Sequence, residues 1–126
     1  MCPKQAEIIV IEDDPIFREW LIRDLEKSGH SVVGVATNRL DAEELIRRIP
    51  EWDAKKLVIT LDANLSRGDS SGKDGDGLLG QTKAYEGVKV VGITGTRGGI
   101  EGADLNVSKD DIGFGGVDIS AKIDEL

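Results

Sequence analysis

A chain of 126 residues has room for one compact domain with its own core, residues 1–126, and none for a second. Asp and Glu outnumber Lys and Arg 24 to 16, for a net charge of −8, which argues against direct binding to nucleic acid or to an anionic membrane surface, since both need clustered cations. An aromatic content of 4% leaves little to stack on bases, and the single Cys2 excludes an internal disulfide and a cysteine zinc site. No apolar stretch approaches the roughly 20 residues of a membrane span. Residues 1–5 lack the apolar core of a signal peptide, so the expected location is the cytoplasm.

Ile8-Ile9-Val10-Ile11 is a continuous branched apolar run, the pattern of a strand covered on both faces. Asp14-Pro15 then opens a helix, with Asp as N-cap and Pro at the first helical position. Phe17, Leu21 and Leu25, with Trp20 beside them, recur at helical spacing until Gly29. Residues 32–36 read as a second strand. Asn38 caps a second helix, in which Ala42, Leu45, Ile46 and Ile49 form the apolar stripe and Pro50 marks the end. Residues 57–61 form the third strand. Residues 66–77 contain no apolar side chain, which predicts a mobile loop. A short helix over 78–85 and a strand over 88–93 follow. Four glycines within residues 95–102 disfavour a regular helix. A short strand over 103–107, a loop around Gly113, Gly115 and Gly116, and a helix over 117–126 with Ile119 and Ile123 on one face complete the chain. This alternation predicts an α/β fold with a parallel sheet and right-handed crossovers that place helices on both faces.

The chemistry gathers at the strand ends. Glu12, Asp13 and Asp14 follow the first strand, Asp62 ends the third, Thr94 ends the fourth and Lys109 follows the fifth. In an open α/β sheet the carboxyl edge is where ligands bind. Carboxylates held close together stay ionised when a cation lies between them. An incomplete, all-oxygen donor set suits Mg²⁺, which keeps several waters and accepts phosphate oxygens. An aspartate there can form an aspartyl-phosphate, with metal, hydroxyl and ammonium balancing the phosphoryl oxygens. Each residue alone reads more simply as a capped strand end on a solvated edge; it is the set that carries the chemical reading.

Those residues resemble the receiver domain of two-component response regulators, in its stand-alone chemotaxis-type form. The likeness lies in Ile8-Ile9-Val10-Ile11-Glu12-Asp13-Asp14-Pro15, in Leu57-Val58-Ile59-Thr60-Leu61-Asp62-Ala63-Asn64-Leu65, in Asp76-Gly77-Leu78, in Val90-Val91-Gly92-Ile93-Thr94-Gly95 and in the segment from Gly102 to Lys109. The resemblance implies a five-stranded parallel sheet, doubly wound and flavodoxin-like, of order 2-1-3-4-5. It implies a phosphoryl group accepted on Asp62 from a histidine kinase or phosphotransfer protein, with Mg²⁺ on Asp13, Asp62 and the backbone carbonyl of Asn64. Glu12 would join directly or through water, and Thr94 and Lys109 would hold the phosphoryl oxygens. Output would pass through protein–protein contacts to a downstream partner that the sequence does not name. Any enzyme activity would be limited to self-phosphorylation from a phosphodonor and autodephosphorylation.

The chain also departs from that family. The loop before Asp76-Gly77-Leu78 is long, and the segment from Thr94 to Lys109 is short, so the helix between the fourth and fifth strands is expected to be shortened or absent. Asn106 stands where the family has an aromatic, three residues before the lysine. Asp110 stands where it has a cis-proline; a cis bond without proline costs roughly 3–4 kcal/mol, so a trans bond is expected. These departures allow a pseudo-receiver that is not phosphorylated, and point to a signalling surface other than the usual one, such as the long loop. A Mg²⁺-dependent aspartate-nucleophile phosphohydrolase is the third reading, opposed by Asn64, which cannot serve as its general acid. Gly68 to Asp74 falls one residue short of a P-loop and lacks its Ser or Thr. Asp74-Gly75-Asp76-Gly77 lacks the closing Glu of a calcium loop. His30, at a helix–strand turn, reads as structural, and Trp20 and Trp52 as packing residues.

Overall fold

The computed structural model describes residues 6–51, 56–62, 73–83, 85, 87–94, 100, 102–108, 119–124 and 126. Five strands, β1 (Glu7–Ile11), β2 (Ser31–Ala36), β3 (Leu57–Asp62), β4 (Val88–Thr94) and β5 (Leu105–Ser108), form one sheet of order β2-β1-β3-β4-β5. Every pairing is parallel. Between them run α1 (Pro15–Lys27), α2 (Arg39–Arg47), a 3₁₀ turn (Ile49–Glu51) and α3 (Lys73–Thr82), and a C-terminal helix (Ile119–Asp124) follows β5. The expected order 2-1-3-4-5 is the observed one. The helix expected to be shortened or absent between β4 and β5 falls mostly on residues 95–99 and 101, outside the described residues. The same holds for residues 66–72 of the expected loop and for the 113–116 loop.

The unbroken apolar run of β1 is explained by two cores. Ile9 and Ile11 pack with Ala42 and Ile46 of α2 and Leu78 and Leu79 of α3. Ile8 and Val10 pack with Leu21 and Leu25 of α1 and Ile119 and Ile123 of the C-terminal helix. Side chains alternate across a strand, so a sheet with helices on both faces needs both parities apolar. α1 starts as its sequence dictates: the Asp14 carboxylate accepts from the N–H groups of Ile16 (3.0 Å) and Phe17 (3.4 Å), with Pro15 in the first turn. Asn38 caps α2 in the same way, its Oδ1 accepting from Asp41 N–H at 2.9 Å. His30 is buried, and its Nδ1 accepts from Ala6 N–H at 3.0 Å, tying the entry of β1 to the entry of β2.

Two elements lie elsewhere than the periodicity predicts. α3 begins at Lys73, inside the stretch expected to be loop, and ends at Thr82, short of Tyr85. Its first turn carries no apolar residue and so gives no periodic signal; the helix meets α2 further on. Gly77 sits where a Cβ would run into the guanidinium of Arg39, and Gln81 Nε2 donates to Glu43 Oε2 at 3.3 Å. Thr82 Oγ1 donates to the Leu79 carbonyl at 2.8 Å, and Tyr85 N–H to the Thr82 carbonyl at 3.1 Å, so the chain turns out of the helix there. β5 begins at Leu105, two residues later than expected. Ala103 is held in a turn by its N–H to the Ile100 carbonyl (3.2 Å), and the Asp104 carboxylate accepts from Val90 N–H (2.8 Å).

Candidate functional site

Register builds the site. Ile11 of β1 is level with Leu61 of β3, so Glu12 and Asp62 emerge side by side, one residue further on. Glu12 N–H donates to the Ala36 carbonyl at 3.0 Å, carrying the β1–β2 pairing one residue past the strand. Glu12 is 1% exposed and Asp62 4%, while Asp13 is half-buried. Carboxylate oxygens of Glu12, Asp13 and Asp62 all lie within 4.8 Å of one another. Asp14 is not part of that group, because its carboxylate is turned to the start of α1. Its N–H is instead the donor to Glu12 Oε2, at 3.1 Å.

Three carboxylates this close and this sheltered bring like charges together away from water. A divalent cation with an oxygen preference removes the conflict. The donor set fits Mg²⁺ chemically: hard oxygens from two strand ends, fewer than the ion's octahedral shell takes.

Thr94 is the last residue of β4, one past Ile93, the partner of Asp62 across the sheet, and is itself level with Ser108 of β5. The backbone thus brings Thr94 to the same edge as Asp62. Asn64 and Lys109 lie outside the described residues.

Two features were not legible beforehand. Arg18, one turn into α1, reaches back so that Nη1 donates to the Glu12 carbonyl at 3.2 Å and to that of Asp13 at 3.5 Å. The sequence signal is faint: a cation four residues after an N-cap aspartate. Asn106, where the resemblance leads one to expect an aromatic, has a defined task. Its Oδ1 accepts from Ile100 N–H at 2.8 Å and its Nδ2 donates to the Ile100 carbonyl at 3.0 Å. Gly92, on the neighbouring strand, leaves the space this amide occupies; a Cβ there would meet Asn106 Oδ1 and, at 3.3 Å, Ile100 Cβ.

No family model matches the chain, and no curated protein matches it. Solved structures do. The signal receiver domain of NarL from Mycobacterium tuberculosis is 28% identical, with a TM-score of 0.65 over 86% of each chain. CheY of Borrelia burgdorferi, solved with CheX, BeF₃ and Mg²⁺, is 16% identical, with a TM-score of 0.63 over 82% of this chain and 78% of that one. A Burkholderia pseudomallei response regulator solved with a phosphorylated aspartic acid and a calcium ion is 23% identical, with a TM-score of 0.60 over 95% of this chain and 71% of that one.

This sheet order and its flanking helices are those of the flavodoxin-like receiver fold, which the chain shares with these response regulator structures. No helix among the described residues is long and apolar enough to cross a membrane.

Proposed function

We propose that this chain is a Mg²⁺-dependent phosphoacceptor that takes a phosphoryl group on Asp62 from a histidine kinase or phosphotransfer protein in the cytoplasm. The observation that carries the reading is the cluster of Glu12, Asp13 and Asp62 within 4.8 Å at the carboxyl edge of β1 and β3. In the transfer, a carboxylate oxygen of Asp62 forms a bond to phosphorus as the donor's phosphorus–nitrogen bond breaks, and the imidazole leaves with the bonding pair. Transfer of this kind is mainly positioning and charge neutralisation. Asp13, Asp62 and Glu12 would hold Mg²⁺, with the Asn64 carbonyl as a further donor. Bound there, the cation offsets charge on the phosphoryl oxygens. Thr94 and Lys109 would hold two of those oxygens. The near-complete burial of Asp62 limits access of water to the acyl phosphate and so slows its loss. The phosphorylated state would act by shifting a conformational equilibrium that a downstream protein reads.

The Asn106 clamp favours a second reading, a pseudo-receiver that keeps the fold without switching. Beryllofluoride with Mg²⁺ separates the two. The receiver reading expects amide shifts at residues 12–14, 62 and 94; an unchanged spectrum contradicts it.

A further inference from the structure

We infer that Arg18 is a positioning residue for the carboxylates of Glu12 and Asp13, and through them for the divalent cation; this rests on the metal-binding reading proposed above. Residues 12–14 link a buried strand to a helix in a single tight passage, and their peptide planes decide where the acidic side chains point. Among the described residues, three contacts on its backbone groups fix the passage. Glu12 N–H is fixed on the Ala36 carbonyl, and Asp14 N–H on Glu12 Oε2. Arg18 supplies the third, with Nη1 on the carbonyls of Glu12 and Asp13. Its own backbone is anchored, since Arg18 N–H donates to the Asp14 carbonyl at 2.9 Å. The guanidinium is therefore mounted on α1 at one end and grips the peptide groups of both acidic residues at the other. Groups that orient metal ligands in this way commonly affect affinity as much as a weak ligand does.

Charge and geometry make opposite predictions here, which makes the inference testable. A cation near three carboxylates opposes Mg²⁺, so if charge were the main effect, neutralising Arg18 would tighten binding. If positioning is the main effect, neutralising it loosens binding. Arg18→Met keeps the length and apolar stem of the side chain and removes the donors. Arg18→Lys keeps the charge and a single donor without the planar fork.

The experiment is a Mg²⁺ titration of wild type, Arg18→Met and Arg18→Lys by amide shifts at residues 12–14, with melting temperatures recorded in chelator. The expected result is an affinity about tenfold weaker in Arg18→Met, an intermediate loss in Arg18→Lys, and melting temperatures in chelator close to wild type. Equal or tighter binding by Arg18→Met overturns the inference while leaving the metal site intact. Should Arg18→Met fail to fold, Arg18→Lys decides it: wild-type affinity overturns the positioning role, and weaker binding supports it. Absence of Mg²⁺ binding by wild type removes the reading on which the inference stands, and the inference with it.

Discussion

Thr60 stands two residues before Asp62 on β3, almost fully buried, with Val10 and Val91 level with it on the flanking strands. Among the described residues its hydroxyl has no hydrogen-bond partner. A buried hydroxyl without a partner costs free energy that an isosteric methyl does not. Thr60→Val is therefore expected to raise stability by about 1 kcal/mol, read as a higher urea midpoint with an unchanged slope; a lower midpoint would show that the hydroxyl has a partner that matters. At the same scale, the acidic triplet divides its labour by direction. Glu12 and Asp13 meet Asp62, whereas Asp14 caps α1. The sequence shows three adjacent acids with an adjacent proline, and the capping rule alone already singles out Asp14.

At the scale of elements, glycines separate packing from propensity. Gly80 lies exposed in α3, and a Cβ added there would meet nothing within 4 Å, whereas Gly92 of β4 is overlaid by Asn106 and Ile100. Gly80→Ala is expected to stabilise by about 0.5–1 kcal/mol through helix propensity and a less flexible unfolded chain. Gly92→Ala is expected to destabilise by about 1–3 kcal/mol through overpacking. Thermal melts of the two variants check both signs, and a destabilised Gly80→Ala or a neutral Gly92→Ala would contradict the packing described. Most elements were legible because their signals are local: the branched run of β1, the Asp14-Pro15 start of α1, the Asn38 cap of α2. The start of α3 was not, because residues 73–77 are polar and glycine-bearing, and Gly77 owes its place to the close approach of Arg39 from α2, which no local pattern shows. The start of β5 was not, because Ala103 is apolar like a strand residue while its backbone belongs to a turn. In the site, the types and spacing of Glu12, Asp13 and Asp62 were legible as strand-end acids. The Arg18 contact was not, since it depends on a long side chain folding back along its own helix.

At the scale of the molecule, the two cores on either face of the sheet hold β1 and β3 side by side, and so fix the distance between Glu12 and Asp62. Binding and stability are then linked. A ligand held only by the native state stabilises it by about 2.7 kcal/mol at a concentration 100 times its dissociation constant. Mg²⁺ is expected to raise the melting temperature of wild type, and Asp13→Asn to abolish most of that rise. An equal rise in Asp13→Asn would place the cation elsewhere. The acidic balance of the chain, −8 overall, favours encounter with a basic face on its partner at low salt.

The most direct test of the central claim is intact mass after incubation with a small-molecule phosphodonor, with and without Mg²⁺, for wild type and Asp62→Asn. The account predicts a gain of one phosphoryl group in wild type that requires Mg²⁺ and is lost in Asp62→Asn. A wild-type mass that does not change, under conditions where Mg²⁺ is shown to bind, would contradict it.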